Sequence, residues 1–279
     1  MADPSTSDVA PPIYLINLAH RRDRLAKMHA RLAAAGLAYT VVQAIDGRVT
    51  DPAALAARFA RPGWFGPLSR VEQACGLSHL KALARFLGES GAAHAVILED
   101  DVRLAAEAGP LLRQLRWLQP QTQLLKLERE REAVLLGRPA PIAAGSLVAP
   151  LLGDHSGAAA YIVSRQAAAA LLALSPIPML PFDYLLFHRG ISPIARRLRP
   201  LQLVPALAKQ DNRGRGDSDI EPSRTALTLA RTQPHGLAKL RREARRILRQ
   251  ADERASITFA SARYVEIGFE PAADPSVTS

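Results

Sequence analysis

The chain has 279 residues, of which 48% are hydrophobic and 5% aromatic, and its formal net charge is +10. That length and apolar content support one large α/β domain or two small ones. No run of about 18 apolar residues occurs, the first ten residues lack a basic-then-apolar leader, and the single cysteine, Cys75, excludes a disulfide framework and a multi-cysteine zinc site. Neither secretion nor membrane spanning is expected, and a reducing cytoplasm fits.

The positive charge is uneven. Residues 191–279 hold 16 Lys and Arg against 10 Asp and Glu. Such a bias favours an anionic partner, whether nucleotide, acidic saccharide, membrane head group or nucleic acid, and a merely solvated surface explains it equally well.

Residues 1–11 read as a disordered leader ending at Pro11-Pro12. Residues 13–18 form an apolar run that predicts a first strand, with Asn17 at its tip and Arg21 and Arg24 just beyond. Asp23 opens a helix whose Leu25, Met28 and Leu32 share a face before Gly36 stops it, and residues 39–45 predict a second strand ending at Asp46-Gly47. This βαβ opening implies a parallel pair with a right-handed crossover. After an irregular or weakly helical stretch at residues 52–67, Ser69 and Glu72 have the spacing of a capping box. They start a helix to about Leu87 with Leu77, Leu80, Leu83, Ala84 and Leu87 inward, while Cys75 reads as a small core residue.

The next strand, Ala95-Val96-Ile97-Leu98, runs directly into Glu99-Asp100-Asp101. A short aliphatic run predicts a buried strand of a parallel sheet, and ligands of open α/β sheets bind at the carboxyl ends of such strands. Three adjacent carboxylates repel one another, and an all-oxygen cluster suits a hard cation such as Mg²⁺ or Mn²⁺, which could bind a diphosphate. The competing reading is an acidic helix start favoured by the macrodipole.

Further on, the pattern predicts a short helix at 110–118, strands at 124–127, 134–136 and 158–163, and an alanine-rich helix at 165–174. Residues 196–199 are a basic cluster and 210–222 a polar loop containing Asp217-Ser218-Asp219, read as a solvated loop or a lid over a ligand. Residues 236–251, opening on Gly236 and closing on Ala251, form an amphipathic helix with five arginines. Packing on its own domain explains it, and basic amphipathic helices also lie on anionic membranes. Residues 271–279 read as a disordered tail.

Three segments resemble glycosyltransferase family 25, the lipooligosaccharide-type galactosyltransferases and their collagen-modifying relatives. They are Ile13-Tyr14-Leu15-Ile16-Asn17-Leu18 with Arg21, Arg24 and Ala44-Ile45-Asp46-Gly47; Cys75-Gly76-Leu77-Ser78-His79-Leu80-Lys81 followed by the Glu99-Asp100-Asp101 strand; and residues 157–165 followed by 177–183. The resemblance implies an A-type glycosyltransferase fold, a Rossmann-like, mostly parallel sheet flanked by helices, here with a basic helical C-terminal region. The resemblance covers most of residues 12–190; the expected catalytic domain is 12–210, with 211–270 packed on it.

It also implies a nucleotide-sugar donor, commonly UDP-galactose, a divalent metal (Mn²⁺ or Mg²⁺), inversion at the anomeric carbon, and a glycan or glycolipid acceptor. On that basis Asp100 and Asp101 are the expected metal ligands. Asn17, Arg21, Arg24, Asp46, Ser78, His79 and Glu99 are expected around the donor, and Lys81 faces either solvent or the diphosphate. Asp183 is the expected base or acceptor contact, with Asp154 and His155 behind it. A nucleic-acid-binding function competes on charge alone. Few aromatics, no zinc, RNA-recognition or helix-turn-helix signature and acids in the expected cleft weigh against it, and no nucleic-acid partner is expected. A catalytically dead scaffold is the third reading.

Overall fold

The computed structural model describes residues 10–63, 65–211 and 261–273. Strand β1 (Ile13–Asn17) is buried at every position, and α1 (Arg22–Ala34) carries the chain back to β2 (Thr40–Gln43), which pairs parallel to β1. Helix α1 buries Met28 and Leu32 and stops as the sequence predicts. Gly36 takes φ +65°, where a side chain is disfavoured, and the Leu37 amide reaches back to the Leu32 carbonyl at 2.9 Å.

Short α2 (Pro52–Ala56) leads to α3 (Arg70–Glu89), whose capping box is formed. The Glu72 amide donates to Ser69 Oγ at 3.2 Å and the Ser69 amide donates to Glu72 Oε2 at 2.9 Å. The helix continues past Leu87 through Gly88. Its inward arc takes in Ala82 and Phe86 and leaves Ala84, expected inward, exposed. Phe86 fixes that phase by packing on Tyr14, ring centroids 6.4 Å apart.

Helix α3 delivers β3 (His94–Glu99) beside β1 in parallel, with Ile16 opposite Glu99, so the tips of the two strands coincide. The chain continues through β4 (Val102–Leu104), α4 (Ala108–Arg113), β5 (Leu124–Lys126), β6 (Ala133–Leu136), β7 (Ala140–Pro141), β8 (Leu147–Pro150), β9 (Ala160–Ser164), α5 (Arg165–Leu172), α6 (Phe182–Phe187), α7 (Pro193–Leu198), β10 (Leu201–Val204), β11 (Ala208–Gln210) and β12 (Arg263–Glu266). The helix expected at 110–118 is thus shorter and displaced toward the amino end.

The central sheet has the order β2-β1-β3-β9-β5-β10-β8-β7. It is mostly parallel, as expected, because only β9 and β8 run against the other strands. Each face is covered by helices. Leu80, Leu83 and Phe86 of α3, Leu171 of α5 and Leu185 of α6 share one apolar layer, and Met28 and Leu32 of α1 with Leu111 and Leu112 of α4 share the other.

Two small antiparallel pairs sit beside this sheet. Strand β11 pairs with β4, which brings Gln210 and Asp211 back to the acidic tip of β3, the Asp211 amide donating to the Asp101 carbonyl at 2.7 Å. Strand β12 pairs with β6. Residues 271–273, read from sequence as the start of a disordered tail, lie against β4, where the Ala272 amide donates to the Leu104 carbonyl at 3.0 Å. The expected basic helix at 236–251, Asp217-Ser218-Asp219, the first nine residues of the leader and residues 274–279 lie outside the described residues.

Candidate active site

The tips of β1 and β3, the end of β2 and one face of α3 enclose a pocket lined by Arg24, Asp46, Ser78, His79, Glu99, Asp100 and Asp101, together with Arg48, Cys75 and Gln210. The acids are not left to repel one another. Asn17 Nδ2 donates to Asp100 Oδ2 at 2.6 Å, and Arg24 Nη1 lies 3.1 Å from Asp100 Oδ1 and 3.5 Å from Asp101 Oδ2. Burial alone would lower the Arg24 pKa, yet Asp101 and Asp100 together raise it, so the guanidinium stays charged.

One cation does not balance the group. Burial, then the charges of Glu99 and Asp100, push the Asp101 carboxyl up to about 7. Burial also raises Asp100 despite its bonds to Arg24 and Asn17. Gln210 Nε2 stands 3.4 Å from both Glu99 Oε2 and Asp101 Oδ1, at the long limit of a hydrogen bond. Sequence reasoning missed Gln210, because only the pairing of β11 with β4 brings it here.

The opposite wall comes from the loop after β2. Asp46 is held below the usual carboxylate range, first by its bond to Arg48, whose Nε is 3.1 Å from Asp46 Oδ1. Ser78, mid-helix in α3, accepts from the Ile45 amide at 2.8 Å and donates to the Ala74 carbonyl at 2.7 Å, tying that loop to the helix. Gly47 sits so close to α3 that a Cβ there would lie 2.4 Å from the Arg70 carbonyl oxygen. Arg21 and Lys81 do not line the pocket. Arg21 Nε bonds Asp23 at 3.2 Å and Lys81 Nζ donates to the Gln43 carbonyl at 2.8 Å.

The floor is His79, 1% exposed, with Nε2 3.0 Å from Glu99 Oε1 and Nδ1 3.2 Å from the Tyr161 hydroxyl. Its ring stacks on Phe182, centroids 4.6 Å apart and planes 9° apart. A histidine fixed on three sides holds Glu99 in one orientation. Cys75 corrects the sequence reading: it is half-buried and lines the pocket rather than lying in the core.

The family model described as glycosyltransferase family 25 (LPS biosynthesis protein) matches residues 10–186. The chain belongs to glycosyltransferase family 25. A Bos taurus relative named probable inactive glycosyltransferase 25 family member 3 is 30% identical over 188 residues, which is 61% of this chain and 30% of the relative. The chain therefore spans less than a third of that relative's length. A solved glycosyltransferase involved in the glycosylation of the major capsid of PBCV-1 overlaps 78% of this chain and 99% of its own at 12% identity and a TM-score of 0.39, too loose to carry function across.

Within this family 25 chain, Asp183 departs from its expected place. It lies in the first turn of α6, outside the pocket lining, with Oδ2 accepting from the Gly157 amide at 2.9 Å and Oδ1 from the Tyr184 amide at 3.0 Å. These bonds hold the carboxylate next to Phe182, on which His79 stacks. His155 is buried, and burial, then Lys126 and Arg131, hold its pKa down to about 3, so it is a poor base near neutrality. Asp154 is 3.0 Å from His188 Nδ1 and accepts from the Gly190 amide, also away from the pocket lining.

A hard divalent cation fits the donors present. Asp100 commits both oxygens to Asn17 and Arg24, whereas Asp101 meets Arg24 at a longer 3.5 Å and the distant Gln210 amide, and Glu99 turns Oε1 to His79 and Oε2 to that same amide. Oxygen donors of this kind suit Mn²⁺ or Mg²⁺. Among the described residues no helix is long and apolar enough to cross a membrane.

Proposed function

We propose that this glycosyltransferase is an active, metal-dependent, inverting hexosyltransferase. It moves a hexose, galactose from UDP-galactose being the first choice, to a cell-envelope glycan such as lipooligosaccharide on the cytoplasmic side of the membrane. The observation that carries the reading is the convergence of Glu99, Asp100 and Asp101 with Arg24 at coincident strand tips, with Asp101 raised to about 7. Negative charge in excess of the local guanidinium is what a site for a cation and a diphosphate requires.

In this reading Asp101 and Glu99 would hold the cation, which when bound supplies positive charge to the departing diphosphate. Asp100 keeps Arg24 and Asn17 in register. Arg24 and Arg48 present fixed positive charge on two walls, and an arginine can hold phosphate oxygens in pairs. His79 fixes Glu99. Contact with an anionic membrane surface through residues 236–251 would bring the enzyme to a glycolipid acceptor.

The catalytically inactive scaffold is the second reading, favoured by Arg24 already standing between Asp100 and Asp101. Purified protein with Mn²⁺ and a panel of nucleotide sugars decides between them. Donor hydrolysis or transfer supports the enzyme, and absence of both turnover and metal-dependent UDP binding leaves the scaffold.

A further inference from the structure

Three residues in the wall of the same pocket form a group of chemically different donors. Cys75 and His79 are four residues apart on α3 and so face the same way, and Glu99 approaches from the tip of β3. One ligand atom from each of the three lies within 4.8 Å of the others. Tetrahedral zinc, with bonds of about 2.0–2.3 Å, holds its ligand atoms about 3.3–3.8 Å apart, so closing the triad needs only small side-chain movement.

The surroundings are those of an oriented ligand. His79 Nδ1 is 3.2 Å from the Tyr161 hydroxyl, which leaves Nε2 directed at Glu99, and Phe182 clamps the ring face to face. A hydrogen bond to the distal ring nitrogen is what fixes tautomer and orientation in metal-bound histidines. The donor set is thiol, imidazole and carboxylate, unlike the all-oxygen pair of Asp101 and Glu99, and sulfur selects softer ions.

We infer that Cys75, His79 and Glu99 form a site for a thiophilic divalent ion such as Zn²⁺. Binding replaces the Cys75 thiol proton, which passes to solvent, by a sulfur–metal bond; the His79 ring shifts its proton from Nε2 to Nδ1, where it is donated to the Tyr161 hydroxyl, and two metal–ligand bonds replace the His79–Glu99 hydrogen bond. The fourth position opens to the pocket. Because Glu99 also belongs to the donor site, occupancy draws it away from Asp101, so zinc would inhibit transfer; that consequence alone rests on the proposed function.

The test uses the full chain and Cd²⁺ alone, whose bond to a thiolate absorbs in the ultraviolet. Wild-type protein is expected to develop this absorption at one equivalent, with Zn²⁺ abolishing it by competition. Cys75→Ala should remove the absorption. His79→Gln and Glu99→Gln should weaken Cd²⁺ binding by 10-fold or more, and Tyr161→Phe by about 10-fold as the loss of an orienting partner. Circular dichroism reports whether each variant is folded. No thiolate absorption in folded wild-type protein overturns the inference, as does absorption whose affinity is the same in the folded His79→Gln, Glu99→Gln and Tyr161→Phe variants, which would mean a lone thiol. Neither result depends on whether the chain transfers a sugar.

Discussion

Asn17 Nδ2 donates to Asp100 Oδ2 at 2.6 Å, joining the tips of β1 and β3 across 83 residues of sequence. The same amide donates to the Arg21 carbonyl at 3.1 Å, so one side chain sets both the acidic cluster and the turn into α1. A hydrogen bond to a charged group is worth about 1.5–3 kcal/mol. Asn17→Ala should lose that much stability in urea denaturation and weaken UDP binding. Asn17→Asp should lose more, since it adds a carboxylate beside a buried one. If both variants unfold at the wild-type midpoint, the pair contributes nothing.

Asp101 provides a test of the electrostatics. Its carboxyl titrates at about 7 in the folded protein against an ordinary 3.8. Between those values the folded state keeps a proton that the unfolded chain has lost, so this group makes stability fall as pH rises from about 4 to about 7, with no further change above. Asp101→Asn should flatten that slope, seen by comparing denaturation midpoints at about pH 5 and pH 8 in the two proteins. His155 acts in the opposite sense. Held near 3 instead of 6.5, it makes stability fall as pH drops below about 6.5, and His155→Gln should flatten the acid limb alone.

The same residue carries the catalytic proposal. Removing one preorganised electrostatic contact costs about a hundredfold or more in turnover. Asp101→Ala should therefore lower kcat by at least about that factor in the Mn²⁺-dependent assay. Turnover at the wild-type level would remove Asp101 from the metal site.

The features legible in the sequence share a local cause. The stop at Gly36, the capping box of Ser69 and Glu72 and the acidic tip of β3 are each written within a few consecutive residues. What was not legible depends on distant pairing. Strands β4, β7, β8, β10, β11 and β12 have two to four residues each, too short for a periodic signal, and apart from β7, which pairs with the adjacent β8, they form by pairing across the chain. Strand β9 is buried at all five positions, so its sequence marks burial but not its antiparallel direction. Gln210 and Arg48 entered the site through β11 and the loop after Asp46, with no motif of their own. Asp183 lies outside the pocket lining, and a matching turn does not report where the carboxyl points.

Gly47 tests whether loop and helix must touch. A Cβ there would lie 2.4 Å from the Arg70 carbonyl oxygen and 2.9 Å from Val71 Cα, both backbone atoms that cannot rotate away. Gly47→Ala should cost about 1–3 kcal/mol as overpacking. It should also push Asp46 and Arg48 outward and weaken UDP binding. Wild-type affinity together with wild-type stability would show that the loop yields freely.

Asp183 separates a positioning carboxylate from a base. Its two oxygens accept from the Gly157 and Tyr184 amides, and Gly157 has φ +83° with a hypothetical Cβ far inside the Glu128 carboxylate, so this turn tolerates little change. In Asp183→Asn the amide oxygen keeps one backbone donor, while the amide nitrogen cannot accept from the other. The loss should be about 1.5–3 kcal/mol of stability, with metal-dependent UDP binding retained, because Asp183 does not line the donor pocket. A base would behave differently: the variant would keep its denaturation midpoint while kcat collapsed and the alkaline-rising limb of its pH profile disappeared. Measuring midpoint, UDP affinity and the pH dependence of kcat on the same preparation distinguishes the two roles, and a stable variant lacking turnover would return Asp183 to the chemistry.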